Sequence, residues 1–116
     1  MTLKLIVIRT GDLERLAKFY ERLGFQLEYH KHGKSPYHYS GNIADTVLEI
    51  YPLAKDQHDA DKHFRVGIGL ENFDQIIAKL KVDGVKFIMD PTDTDFGFMA
   101  IVSDPDSRKV ELYKTN

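Results

Sequence analysis

Two glutamates stand where a side chain could do chemistry. Glu49 lies in the run Thr46-Val47-Leu48-Glu49-Ile50-Tyr51, and Glu111 in Lys109-Val110-Glu111-Leu112-Tyr113. Both runs alternate as strands do. If Leu48, Ile50, Val110 and Leu112 face a core, the two carboxylates project from the opposite sheet face. A carboxylate so placed serves as a general base, as an oxygen ligand for a cation, or as the partner of a neighbouring positive charge. Five histidines invite a metal reading as well. His30 and His32 alternate onto one strand face, and a hairpin return brings His38 towards them, so a His-rich patch is conceivable. No acidic or cysteine partner stands at a fixed spacing to them, and an exposed polar strand face is the default reading. His58 and His63 fall in a charged stretch and read as solvated. There is no Ser-His-Asp grouping and no phosphate-cradling glycine loop.

The elements that position these residues occur twice. A strand over 3–9, a helix over 13–23 and strands over 26–31, 37–40 and 46–51 are matched by a strand over 64–70, a helix over 73–80 and strands over 85–89, 98–103 and 109–113. The offset is sixty positions from Gly24 to Gly84 and sixty-two from Glu49 to Glu111, the mark of an internal duplication whose site falls between the halves. Asp12 reads as the N-cap of the first helix and Gly24 as its left-handed terminator. Asn72 with Gln75 reads as a capping box for the second, which Gly84 ends. Gly41-Asn42 reads as a turn, and Asp90 to Phe98 as a loop entering a strand. One domain over 1–116 results, with unit one at 1–53, a polar linker at 54–62 and unit two at 63–116.

Composition sets the context. With 116 residues, 42% hydrophobic and 11% aromatic, the chain suits one small core. A net charge of -2 with no basic run gives no reason to expect nucleic acid or an acidic membrane as partner. Zero cysteines exclude disulfides, thiolate metal sites and thiol catalysis, and the chain opens on a strand rather than an apolar signal segment; the expected location is cytoplasmic.

The runs Arg9-Thr10-Gly11-Asp12-Leu13-Glu14-Arg15, Phe19-Tyr20, Leu23-Gly24-Phe25 and Ser103-Asp104-Pro105-Asp106-Ser107-Arg108-Lys109-Val110-Glu111-Leu112 resemble the vicinal oxygen chelate superfamily, which holds the glyoxalase, bleomycin-resistance and ring-cleaving dioxygenase proteins. The resemblance covers almost the whole chain. It implies an α+β fold of two βαβββ units, with mixed sheets curled around a crevice and the helices outside. Ser107 stands where the family usually has glycine, at the close of a turn that Pro105 presets. The resemblance also implies four metal-ligand positions, on the first and last strand of each unit. The last-strand positions fall on Glu49 and Glu111; the first-strand positions, usually histidine, fall on Leu5 and Arg65, neither of which binds a divalent cation. The expected site therefore has no metal and no other cofactor, the alternative being a divalent metal. If first and last strands are neighbours, as the family implies, Arg65 lies beside Glu111 and pairs with it.

Three function classes follow. The first is a protein that binds a small organic molecule without the usual metal centre, as the bleomycin-resistance members do, with Leu5 and Arg65 in the crevice and Tyr37, Tyr39, Tyr51, Phe98 and Tyr113 as candidate aromatic walls. The second is a metal-dependent enzyme, with the ion held by Glu49, Glu111 and a histidine from elsewhere. The third is a metal-free lyase or isomerase with Glu49 or Glu111 as its base. The missing first-strand histidines favour binding. Apolar strand residues with surface to hide point to a homodimer.

Overall fold

A computed structural model describes residues 1–115, which divide into two compact units, Met1–Asp61 and the chain from Lys62 on. The first unit runs β1 (Leu5–Thr10), α1 (Leu13–Arg22), β2 (Glu28–His30), β3 (His38–Ile43) and β4 (Thr46–Pro52). The second runs β5 (Val66–Leu70), α2 (Phe73–Val82), β6 (Phe87–Thr94), β7 (Gly97–Ser103) and β8 (Lys109–Lys114). Each is a βαβββ unit with a four-stranded mixed sheet, ordered β1-β4-β3-β2 in the first and β5-β8-β7-β6 in the second. The first and last strands of each unit pair in parallel, and all other pairs are antiparallel. Among the described residues no helix is long and apolar enough to cross a membrane.

Each helix covers one face of its own sheet. In the first unit Asp12 accepts a hydrogen bond from the Arg15 amide at 3.1 Å, which starts α1, and Gly24 ends it at φ +111°. The helix buries Leu16, Ala17, Phe19 and Tyr20 against Leu48 and Ile50, with Phe19, Tyr20 and Phe25 packed edge to face. In the second unit Phe73, Ile77 and Leu80 of α2 are buried, as are Ala100, Val102, Val110 and Leu112 of the sheet. The apolar parity expected for both closing strands is thus formed.

Three local expectations are corrected. The Asn72 side chain makes no capping hydrogen bond; at φ -99° and ψ 40° its backbone departs from the extended conformation that aims a cap at the first turn. Gly41-Asn42 lies inside β3 and not at its end, and the chain reverses at Ala44-Asp45, with Ala44 at φ +49°. Glycine is required at 41 because a Cβ there would lie 2.5 Å from the Gln26 carbonyl oxygen. The stretch after Asp90 is strand, with β6 reaching Thr94 before a tight turn into Gly97. Pro91 is tolerated because β6 is an edge strand and its pairing with β7 shifts register between Met89 and Thr92.

Candidate functional site

The register of the first sheet assembles a site around Glu49. Directly opposite residues of paired strands share a face. Val7 on β1 and Ser40 on β3 both oppose Glu49, Glu28 opposes Ser40, and His30 opposes His38. All of them therefore stand on the face that α1 does not cover, together with Leu5 opposite Val47. His38 is fully buried, stacked on the Tyr51 ring at a centroid distance of 4.2 Å. The default reading of an exposed polar strand face does not hold for His38 or for the half-buried His30, whereas His32 stays exposed. The β2–β3 hairpin folds His30 and His32 onto His38, with ring centroids 4.8 and 5.3 Å from it.

The polar atoms of this cluster are unevenly satisfied. His38 Nδ1 donates to the Pro36 carbonyl at 2.9 Å, since a carbonyl only accepts. Its Nε2 lies 3.3 Å from Glu49 Oε2, within ion-pair reach, yet it makes no hydrogen bond, and the buried His30 Nε2 makes none either. His32 Nε2 sits 4.0 Å from the same Glu49 oxygen. Among the described residues, His30, His32, His38 and Glu49 form the one group of at least three such side chains that could hold a metal ion, with ligand atoms all within 4.8 Å of one another. Beside it lies a polar recess of about 450 Å³, lined in part by Gln26, Glu28, His30, Ser40 and Asn42.

Glu111 is placed on its sheet as Glu49 is, with other neighbours. It opposes Gly67, and it accepts hydrogen bonds from the Tyr113 hydroxyl and from Arg65 Nε, the latter at 2.5 Å. The Arg65 pairing expected from strand alternation and from the strand adjacency that the family resemblance implies is formed. The Tyr113 hydrogen bond, helped by Arg65 and opposed by burial, holds the Glu111 carboxyl below the usual glutamate range. The same bond pushes the Tyr113 phenol up. A Cβ at Gly67 would meet Tyr113 Cε2 at 3.2 Å, so a crowding side chain accounts for that glycine.

The candidate aromatic walls separate by face. Tyr51 and Tyr113 stand with the glutamates. Tyr39 opposes Ile50 and lies on the α1 side, where burial and then Glu14 and Glu21 push its phenol up; Tyr29 stacks between it and Tyr37. Phe98 packs edge to face on Phe73 of α2. Tyr39 and Phe98 are thus removed from the carboxylate faces, because each stands one residue out of phase with the positions of its strand that share a face with the glutamates, Ser40 on β3 and Met99 and Ile101 on β7; Tyr37 precedes β3 and stacks on Tyr29. The His30, His32 and His38 patch is conceivable from the sequence; the feature the sequence reading lacks is its acidic partner, Glu49. The signal for the patch lay in Glu28-Tyr29-His30 and His38-Tyr39-Ser40, two mirror-ordered runs whose antiparallel pairing sets His30 against His38.

At the first-strand positions where the family usually carries histidine, the residues do not fit a metal. Leu5 offers no donor, and Arg65 is a cation bound to Glu111.

A search among curated proteins finds a "Probable lactoylglutathione lyase" of Synechocystis sp. (strain ATCC 27184 / PCC 6803 / Kazusa), 28% identical over 95% of this chain and 92% of that protein. Among solved structures, TnmS3, an antibiotic binding protein from Streptomyces sp. CB03234, superposes with a TM-score of 0.80 at 24% identity over 100% of this chain and 97% of that one, a likeness of fold alone. A glyoxalase/bleomycin resistance protein from the same organism gives 0.74 at 25% identity over 97% and 99%. The family model that describes the Glyoxalase/Bleomycin resistance protein/Dioxygenase superfamily matches residues 2–112, and with the duplicated βαβββ units and the paired glutamates this places the chain in that superfamily.

Proposed function

We propose that this chain binds a small organic molecule, aromatic or amphipathic, on its glutamate-bearing sheet faces, with no metal at the family's first-strand positions. The observation that carries this reading is what occupies those positions: Leu5, 51% exposed, and Arg65, committed to Glu111. In the first unit the uncovered face grades from apolar Leu5 and Val7 on β1, through Glu49 and Tyr51 on β4, to the polar recess at β2 and β3. Such a gradient suits a ligand with one greasy and one polar end. The fold is that of TnmS3, which is named an antibiotic binding protein.

Glu111 is the weaker candidate for a general base. Its carboxyl is held low by Tyr113 and Arg65, and a low-pKa carboxylate takes up protons poorly near neutrality. The binding reading is tested by calorimetric titration of untagged protein, in excess chelator, with the amphipathic naphthalene dye 1-anilinonaphthalene-8-sulfonate. Saturable binding near about 10 µM, weakened at least about fivefold by Leu5→Asp, is expected. Failure of the dye to saturate, or lactoylglutathione lyase turnover on adding metal, overturns it.

The same reading takes the chain as a homodimer. Leu3, 62% exposed just before edge strand β1, supports a second copy packing along that edge. Sedimentation at low micromolar concentration that finds only monomer removes this part.

A further inference from the structure

We propose that His30, His32, His38 and Glu49 form a binding site for one divalent transition-metal ion of borderline softness, such as zinc or nickel. The donor set is three imidazoles and a carboxylate, the chemistry such ions prefer. The nitrogens come from β2, the residue run just after it, and β3; only Glu49 coincides with a position implied by the family. The site therefore goes beyond the binding of an organic molecule and does not depend on it.

Two independent features point to an occupant. The first is convergence: ligand atoms of all four side chains lie within 4.8 Å of one another. A tetrahedral shell with bonds of about 2.1 Å spaces its ligands about 3.4 Å apart, so small rotamer adjustments close the cluster on an ion. The second is the state of His38. Its ring is fully buried, and its Nδ1 is committed to the Pro36 carbonyl, the outer hydrogen bond that orients a metal-binding imidazole and directs its Nε2 to the ion. That Nε2 is buried, makes no hydrogen bond and faces a Glu49 oxygen at 3.3 Å. In the neutral ring this sets a lone pair against a carboxylate oxygen. A cation between them resolves the conflict. His30 Nε2, also buried and without a hydrogen bond, repeats the pattern from the neighbouring strand. His32, 64% exposed at its side chain, closes the cluster from the solvent side.

The test is a calorimetric titration of the untagged, chelator-stripped chain with zinc and with nickel in the absence of any organic ligand. One equivalent binding at about 1 µM or tighter is expected. His32→Ala removes an exposed ligand and leaves the buried packing intact; it should weaken binding at least about tenfold, and Glu49→Gln likewise. The double variant His58→Ala/His63→Ala should bind as the parent does. Long-range proton–nitrogen correlation spectra should show zinc shifting the His38 Nε2 resonance while Nδ1 keeps its proton. No binding up to about 100 µM, equal affinity in His32→Ala, or a His38 Nε2 unmoved by zinc overturns the proposal and leaves the cluster as a packed pair held by a proton. Because the dye titration is run in chelator and this one without dye, either reading fails without the other.

Discussion

Glu49 and Glu111 occupy matching places in two sheets of the same topology, and their surroundings differ in kind. Glu111 is engaged: Tyr113 and Arg65 each donate to one of its oxygens, and Tyr113 also fills the space over Gly67. Glu49 is open: imidazole nitrogens converge on it, two of them buried and short of hydrogen bonds. A duplicated fold thus repeats a position without repeating its chemistry, because the residues that meet at that position come from other strands, which diverge freely.

The turns leading into the closing strands differ as sharply, and they offer the largest effect. In the second unit Arg108, 2% exposed, pairs with the buried Asp104 at 3.1 Å and with Asp106 at 3.2 Å; the first unit reverses at Ala44-Asp45 with no such pair among the described residues. Arg108→Met should cost about 3–5 kcal/mol in denaturant unfolding at neutral pH, since it strands a buried carboxylate. Burial, opposed by Arg108, already raises the Asp104 pKa above its usual value. A raised folded-state pKa favours the fold below the unfolded value and loses that contribution as pH rises through the folded one, so the variant's deficit should shrink on acidification. Asp104→Asn in the same background should recover most of the loss. A variant as stable as the parent would make the two turns energetically equivalent.

The engagement of Glu111 can be measured next. A double-mutant cycle of Arg65→Leu with Glu111→Gln should give a coupling of about 0.5–1 kcal/mol, modest because Arg65 is 44% exposed on its side chain. The Glu111 pKa is lowered, so its contribution is present above the unfolded value, about 4.5, and is lost as pH falls through the folded one. The coupling should accordingly vanish on acidification. Coupling near zero at pH 7 would free Arg65 for an anionic ligand.

The smallest effect tests what the two turns share. Ala44 at φ +49° and Ser107 at φ +70° both hold left-handed backbone without being glycine. Ala44→Gly and Ser107→Gly should each raise stability by about 0.5–1 kcal/mol, as relief of that strain exceeds the entropy lost by glycine. A loss in either would mean that the side chain there contributes more than its backbone costs.

Much of this was legible in the residues themselves. The repeat, the two helices, the glycines that end them and the outward parity of Glu49 and Glu111 follow from local periodicity, which is a property of one chain segment at a time. The Arg65–Glu111 pair followed once adjacency of first and last strands was taken from the family resemblance. Strand β6 beyond Asp90 was hidden because edge pairing to β7 overrides a stretch of Asp, Thr and Pro with little strand propensity of its own. The faces of Tyr39 and Phe98 depend on phase, and a shift of one residue sends a side chain to the other side of the sheet. The histidine cluster rests on three strands at once. Alternation alone set His30 and His32 on a common face, but only the register that places His30 against His38 and Ser40 against Glu49 brings three nitrogens and a carboxylate together. Register is set by hydrogen bonds between distant segments, and so the tertiary structure alone decided it.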